Sequence, residues 1–229
     1  MAQNNGRMKT EKQTADRLVS GFIFKNRLPV AIGTAVVIAA IVIAGTVSLV
    51  AGRVRRTGLA AIDTIVRQFT DDSLDISDEE AEARRVAALD ALTPFLSRRG
   101  VVGVRAELLA AEIAWQRNDA AAAKSHWEAA ARADTRAYMA PLAQYNAAVA
   151  SEMLGELEEA AAGYAAAASA EDFPFAAHAQ FSLGRVREAQ GAYAAANEAY
   201  QLVIDRTPDD TWAHLAKSRQ IALQVAGLL

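Results

Sequence analysis

AHAQFSLGRVREAQGAYAAANEAYQLVIDRTPDD, residues 177–210, decides the fold. It reads as two helices closed into a hairpin. Gly191 ends the first helix, because glycine takes the left-handed backbone of a helix C-terminus without a Cβ clash. Ala196 sits where the two helices cross closely, and anything larger would push them apart. Tyr200, on the second helix, fills the gap between its own first helix and the next unit. The same markers recur upstream in one phase. Asn118, Gly155 and Gly191 are spaced by 37 and 36 residues. Ala123, Ala160 and Ala196 each follow five residues later, and Trp127, Tyr164 and Tyr200 nine residues later. In so alanine-rich a chain the Ala match arises by chance, but the aromatic match does not. A hairpin cannot bury its apolar face alone, so units in phase predict a stack.

In this unit Leu183-Gly184, Gly191, Tyr193, Ala196, Tyr200 and Pro208 stand in the order that characterises the tetratricopeptide repeat (TPR), and the chain resembles that family here. Arg187 departs from the apolar residue the pattern expects, and Gln180 stands where Trp or Leu is usual. A middle unit, about 141–174, keeps Ala148, Gly155, Ala160, Tyr164 and Pro174. A first, weaker unit, about 104–137, keeps Ala111, Asn118, Ala123 and Trp127. Residues 209–229, with Trp212, Leu215, Ile221, Leu223 and Val225, resemble the extra helix that caps the last hairpin. The resemblance implies an all-α fold: a TPR-like α-solenoid of stacked helical hairpins over 104–208, closed by a capping helix.

Upstream, Leu59, Ile62, Ile65, Val66 and Phe69 keep helical spacing over 57–69. That helix either continues the segment before it or restarts after Gly58. Ser77 or Asp78 offers an N-cap, with Glu79 and Glu80 in the first turn. A second helix is expected to run to about Arg99, kinked or broken at Pro94. Together these make residues 52–103 a linker and a degenerate first hairpin. Residues 28–51 contain no charged side chain and are rich in Val, Ile and Ala, bounded by Lys25 and Arg27 before and Arg53, Arg55 and Arg56 after. As a helix they reach roughly 36 Å, enough to cross a hydrocarbon core of about 30 Å. We read one N-terminal transmembrane helix; a buried soluble helix and a cleaved signal peptide are the alternatives. Residues 1–15 are polar and expected to be disordered, and 16–27 form a short amphipathic lead-in.

Residues 1–27 carry six basic against two acidic side chains, +4, and residues 52–229 carry 18 against 25, −7. Within about 20 residues of the span, Lys9, Lys12, Arg17, Lys25 and Arg27 stand on the N side and Arg53, Arg55, Arg56 and Arg67 on the C side, a small excess that leans toward a cytoplasmic N-terminus and an extracytoplasmic repeat domain. An acidic domain without basic runs excludes nucleic acid as the expected partner. The absence of cysteine removes disulfides, thiol catalysis and Cys-ligated zinc. Phosphate loops, nucleophile elbows and metalloprotease motifs are missing. His126, His178 and His214 lack metal-ligand spacing and local acidic partners, and Glu156, Glu158 and Glu159 read as helix-start carboxylates. No catalytic, cofactor or metal site is expected.

The expected site is the groove lined by the first helix of each hairpin. The register turns Arg105, Leu108, Glu112, Trp115, Gln116, Tyr145, Val149, Glu152, Met153, His178, Phe181, Arg185 and Glu188 toward it. Trp, Tyr, Phe, Met and Arg are the types that anchor protein interfaces; Leu108, Trp115 and Phe181 read equally as core between hairpins. TPR domains that clamp a chaperone's acidic C-terminus use Lys and Asn where this chain has Leu108, Glu112 and Leu142, so that clamp is absent. The layout of a basic tail with Asp16-Arg17 and Lys25-Asn26-Arg27, one span, a hairpin and about three repeats resembles the YfgM-type ancillary subunit of the bacterial Sec translocon. That resemblance implies an inner-membrane, non-enzymatic adaptor with its repeats in the periplasm. The implied partners are translocon subunits, periplasmic chaperones or exported chains. An assembly factor of another envelope machine is the alternative, and a cytoplasm-facing receptor of reversed topology is a third.

Overall fold

A computed structural model describes residues 27–70 and 76–229. The readings made for 1–26, the tail and most of the amphipathic lead-in, lie outside the described residues, as does 71–75. The chain divides into two compact units, Met1–Val54 and Arg55–Leu229. In chain order the helices are α1 (Arg27–Thr70), α2 (Asp78–Leu92), α3 (Val101–Gln116), α4 (Ala120–Ala133), α5 (Ala140–Met153), α6 (Leu157–Ala168), α7 (Ala176–Ala189), α8 (Tyr193–Arg206) and α9 (Thr211–Val225). No strand occurs among the described residues, and the fold is all-α.

Within the first unit, α1 presents Leu28, Ile32, Val36, Ile41, Val47 and Val50 with more than half of each side chain exposed. It is long and apolar enough to cross a membrane. The chain stays helical through Gly52 and Gly58, so the restart weighed at Gly58 does not occur.

In the second unit the last turns of α1 bury Ile62 and Ile65 against Ala88 and Leu92 of α2 and Val102, Ala106 and Ala110 of α3. Ser77 caps α2 through its side chain, which accepts from the Glu80 N–H at 3.2 Å. The helix stops at Leu92 rather than near Arg99. Pro94 lies inside a 3-10 turn, Thr93–Phe95, where its ring is tolerated and its missing N–H costs nothing. Then Ser97 and Gly100 take left-handed backbones and turn the chain into α3.

From α3 onward the helices stack as antiparallel pairs, α3/α4, α5/α6 and α7/α8, with α9 against the last pair. Asn118, Gly155 and Gly191 end α3, α5 and α7 at φ of 60°, 76° and 74°. Ala123, Ala160 and Ala196 are fully buried, and Trp127, Tyr164 and Tyr200 are at most 5% exposed. Gly184 marks the tightest crossing: a Cβ there would stand 2.5 Å from the Tyr200 ring. The two departures from the repeat pattern have local reasons. Gln180 is buried but donates to the Ala199 carbonyl at 3.3 Å. Arg187 pairs with Glu158 of the preceding hairpin at 3.0 Å and donates to Gln190 at 2.9 Å. At the far end Asp210 caps α9, accepting from the Trp212 N–H at 2.9 Å, and α9 buries Ala213, Ala216 and Leu223 on the Phe181–Tyr200–Val203 cluster.

Candidate functional site: the groove of the first helices

Helices α3, α5 and α7 carry the residues read from the sequence as a groove, and the structure sorts these into four settings. Some remain open to solvent. Glu112 and Gln116 are exposed and bonded to each other at 3.0 Å, and Met153 is 66% exposed. Trp115, Tyr145 and Val149 are half-buried. Phe181 is 8% exposed and packs its ring 5.6 Å from Tyr200 and 5.4 Å from Trp212, so it belongs to the core between α7, α8 and α9.

The second setting is ionic and repeats along the stack. Glu152 of α5 accepts from the Tyr164 hydroxyl of α6 at 3.0 Å and from both terminal nitrogens of Arg185 on α7, one at 2.7 Å. Thirty-six residues later Glu188 of α7 accepts from the Tyr200 hydroxyl of α8 at 2.9 Å and from Arg219 of α9. Glu152 therefore ties its hairpin to the next, and Glu188 ties the last hairpin to α9. Burial would raise the Glu152 carboxyl, but the bonds from Arg185 and Tyr164 outweigh it and hold it below the usual carboxylate range. Burial, with the charge of Glu152, pushes the Tyr164 hydroxyl well above the usual phenol value, so it remains a donor.

The third setting is aromatic. The His178 ring stacks on the Trp212 indole, centroids 3.7 Å apart and 7° from parallel. The Tyr145 hydroxyl lies 3.0 Å from His178 Nδ1 and 3.1 Å from Nε2, and the Tyr145 ring meets Tyr164 edge-on at 5.5 Å. Burial, with the positive charge of Arg185 nearby, lowers the His178 pKa. A neutral imidazole is the form that can accept from the tyrosine hydroxyl. The stack thus joins α5, α7 and α9 along the floor of the groove.

The fourth setting is a cavity at the α3 end, about 490 Å³ in volume. Ile62 and Val66 of α1, Val104 and Leu108 of α3, and Tyr138 and Met139 of the α4–α5 loop line it. Arg105 sits at its mouth, paired with Asp63 at 2.6 Å, and Asp134 closes the other side. Of the groove residues read from sequence, Arg105 and Leu108 belong to this cavity. Its α1 and loop walls were not legible: Asp63 and Arg105 lie 42 residues apart, and no periodicity marks the loop. The one available signal was Tyr138-Met139, two large apolar side chains in a turn before Pro141.

One reading is corrected. His126 was taken to lack an acidic partner, but its Nδ1 lies 2.7 Å from the carboxylate of Glu107, on the facing helix α3. The Glu107 side chain is 3% exposed and also accepts from the Ser97 N–H at 2.7 Å. Burial would raise its carboxyl, but the bonds from His126 and Ser97 bring it below the usual range. This pair fastens the turn at Ser97 to the first hairpin. Glu156 and Glu158, read as helix-start carboxylates, also bridge hairpins, Glu156 to Lys124 and Glu158 to Arg187.

Comparison with known proteins agrees with this geometry. A family model for the tetratricopeptide repeat matches residues 108–172 and 160–211. A relative from Treponema pallidum (strain Nichols), described as a TPR repeat-containing protein, is 32% identical over 195 residues, covering 78% of this chain and 82% of the relative.

Proposed function

Because the chain belongs to the tetratricopeptide-repeat family, whose members are generally non-enzymatic scaffolds that bind other proteins, we propose that it is a membrane-tethered adaptor that presents its groove to envelope proteins. The observation that carries the tether is α1, whose apolar residues between Arg27 and Val54 are left exposed by the rest of the chain. In water that surface is unfavourable; in a bilayer it is matched. The uncharged run and the basic residues before it support an N-terminus in the cytoplasm and repeats outside it. Confinement to a membrane raises the effective concentration of a weak groove ligand without adding a contact. The layout supports the Sec translocon as the site of action, with periplasmic chaperones or exported chains as groove ligands.

Photocrosslinking of the membrane-embedded chain tests this reading, with one photoreactive residue replacing Ala39 in α1 and another replacing the exposed Met153. Translocon subunits captured from Ala39, with chaperones or exported chains from Met153, are the expected result. Capture of a division, outer-membrane or appendage complex without translocon contact moves the function to assembly of that machine. Protease protection of a C-terminal tag in sealed cells separates either outcome from reversed topology.

A further inference from the structure

The cavity at the α3 end opens on the repeat domain between α1, α3 and the α4–α5 loop. Its volume of about 490 Å³ falls within the range of ligand pockets, about 300–1,000 Å³. Its walls are apolar, and Tyr138, 73% exposed, stands at the lip with its ring in solvent. Arg105 and Leu108 line the cavity, and Glu112 falls on the same face of α3 one turn on, at i, i+3 and i+7. An occupant of the cavity can therefore extend along α3, which suits a polymer segment better than a compact small molecule.

The charge around the mouth selects the flanks of that segment. Arg105 is neutralised by Asp63 at 2.6 Å. Asp134 accepts from the Arg136 backbone N–H at 3.1 Å and forms no ion pair among the described residues. Glu112 is bonded only to the neutral Gln116 amide among the described residues. Of the two charged side chains that line the cavity, Arg105 and Asp134, only Asp134 lacks an ion partner among the described residues, so the uncompensated charge in its wall is negative. From the groove-binding reading above, and resting on it, we infer that the α1–α3–loop cavity receives a large apolar side chain from an extended partner segment that carries basic residues beside it. Apolar burial supplies the anchor, and Asp134 and Glu112 supply selection against acidic segments.

The full chain in lipid nanodiscs is titrated into three short fluorescein-labelled peptides and followed by anisotropy. One alternates Lys with Phe and Leu, a second has Glu for Lys, and a third has Ser for Phe and Leu. The first is expected to bind, and the other two to bind at least about tenfold more weakly, a factor that corresponds to about 1.4 kcal/mol. Ala137→Trp, which fills the cavity from its loop wall, should weaken the first peptide by about tenfold. Asp134→Asn keeps the acceptor for the Arg136 N–H and removes the charge. It should weaken that peptide by about threefold in low salt and less in high salt. Met153→Lys probes the groove away from the cavity, and Leu202→Lys, exposed on α8 outside the groove, should leave peptide binding unchanged. Circular dichroism and thermal unfolding establish that each variant is folded, and Asp134→Asn tests the proposal by itself if Ala137→Trp is not.

If the peptide is lost in Met153→Lys but not in the two cavity variants, this inference falls while the groove reading stands. Equal binding of the Ser peptide reduces the effect to charge attraction and overturns the proposal. Capture of a second copy of the chain by a photoreactive residue at Tyr138 overturns it in favour of self-association. If no peptide binds, the inference falls, and the separate crosslinks from Met153 decide the groove reading.

Discussion

The first hairpin and the two that follow solve one packing problem with opposite chemistry. Between the second and third hairpins, Glu152, Tyr164 and Arg185 make a polar tie from three helices, and Glu188, Tyr200 and Arg219 repeat it against α9. At the corresponding positions of the junction between the first and second hairpins stand Trp115, Trp127 and Val149, one repeat length earlier in each case. There the two indoles pack at 5.3 Å and 56°, with no carboxylate between them. All three positions change together. A buried carboxylate that loses one partner leaves a charge with unmet hydrogen bonds, whereas replacing every partner with apolar groups is nearly neutral. The first hairpin carries its buried carboxylate elsewhere, at Glu107, where it binds His126 and the Ser97 turn rather than the next repeat. Repeats in this chain thus share spacing and shape, and the polarity of each junction is a separate choice.

The sharpest way to break the comparison is Trp127→Ala. With the side chain 5% exposed and no hydroxyl on the ring to hold a carboxylate, the loss should reach about 3–5 kcal/mol. It should appear as a large fall in the thermal midpoint of the full chain in nanodiscs; a change under about 1 kcal/mol would mean that the first junction does not rest on its indoles. Next in size is Gly184→Ala. Ala111 and Ala148 occupy the equivalent positions of the other hairpins, but at Gly184 a Cβ meets the Tyr200 ring at 2.5 Å. A destabilisation of about 1–3 kcal/mol is expected, from overpacking alone.

Tyr164→Phe tests the polar tie by itself, since it removes the hydroxyl that donates to Glu152 and keeps the ring. The expected cost is about 1.5 kcal/mol, the size of a hydrogen bond to a charged group. Combined with Glu152→Gln, the two changes should cost less than their sum; simple additivity in denaturant unfolding would show that the tie is not a unit.

The smallest effect concerns pH. The folded pKa of His178 is lowered from its ordinary value of 6.5 by burial and by Arg185, so the folded chain favours the neutral ring. The ring's contribution is whole above pH 6.5 and is lost as pH falls from there through the folded value. The thermal midpoint should therefore drop more between pH 7.5 and 5.5 in the parent than in His178→Gln. Equal drops would remove His178 from the account and leave the fall to carboxylates.

Much of this was legible along the chain. Asn118, Gly155 and Gly191, the buried alanines and the aromatic nine residues on are local features: the backbone sign a residue tolerates and the face a period assigns it. The uncharged run at 28–51 was legible for the same reason, since length and composition alone decide whether a helix suits a bilayer. The candidate site was legible only as a face. Phe181 and Arg185 share that face by periodicity, yet α9 covers Phe181 and leaves Arg185 exposed with Glu152. The Glu107–His126 pair escaped notice because its members are 19 residues apart on facing helices.

The sequence by itself determined the hairpin period, the residues that terminate and cross each hairpin, and the apolar run before them. These depend on steric and solvation properties that act within a few residues. Only the tertiary structure decided that Glu152 and Glu188 bridge repeats, that His178 stacks on Trp212, and that α1, α3 and the 134–139 loop enclose a cavity. Each of those joins side chains from helices that meet only after the hairpins stack, and distance along the chain carries no record of which faces will meet.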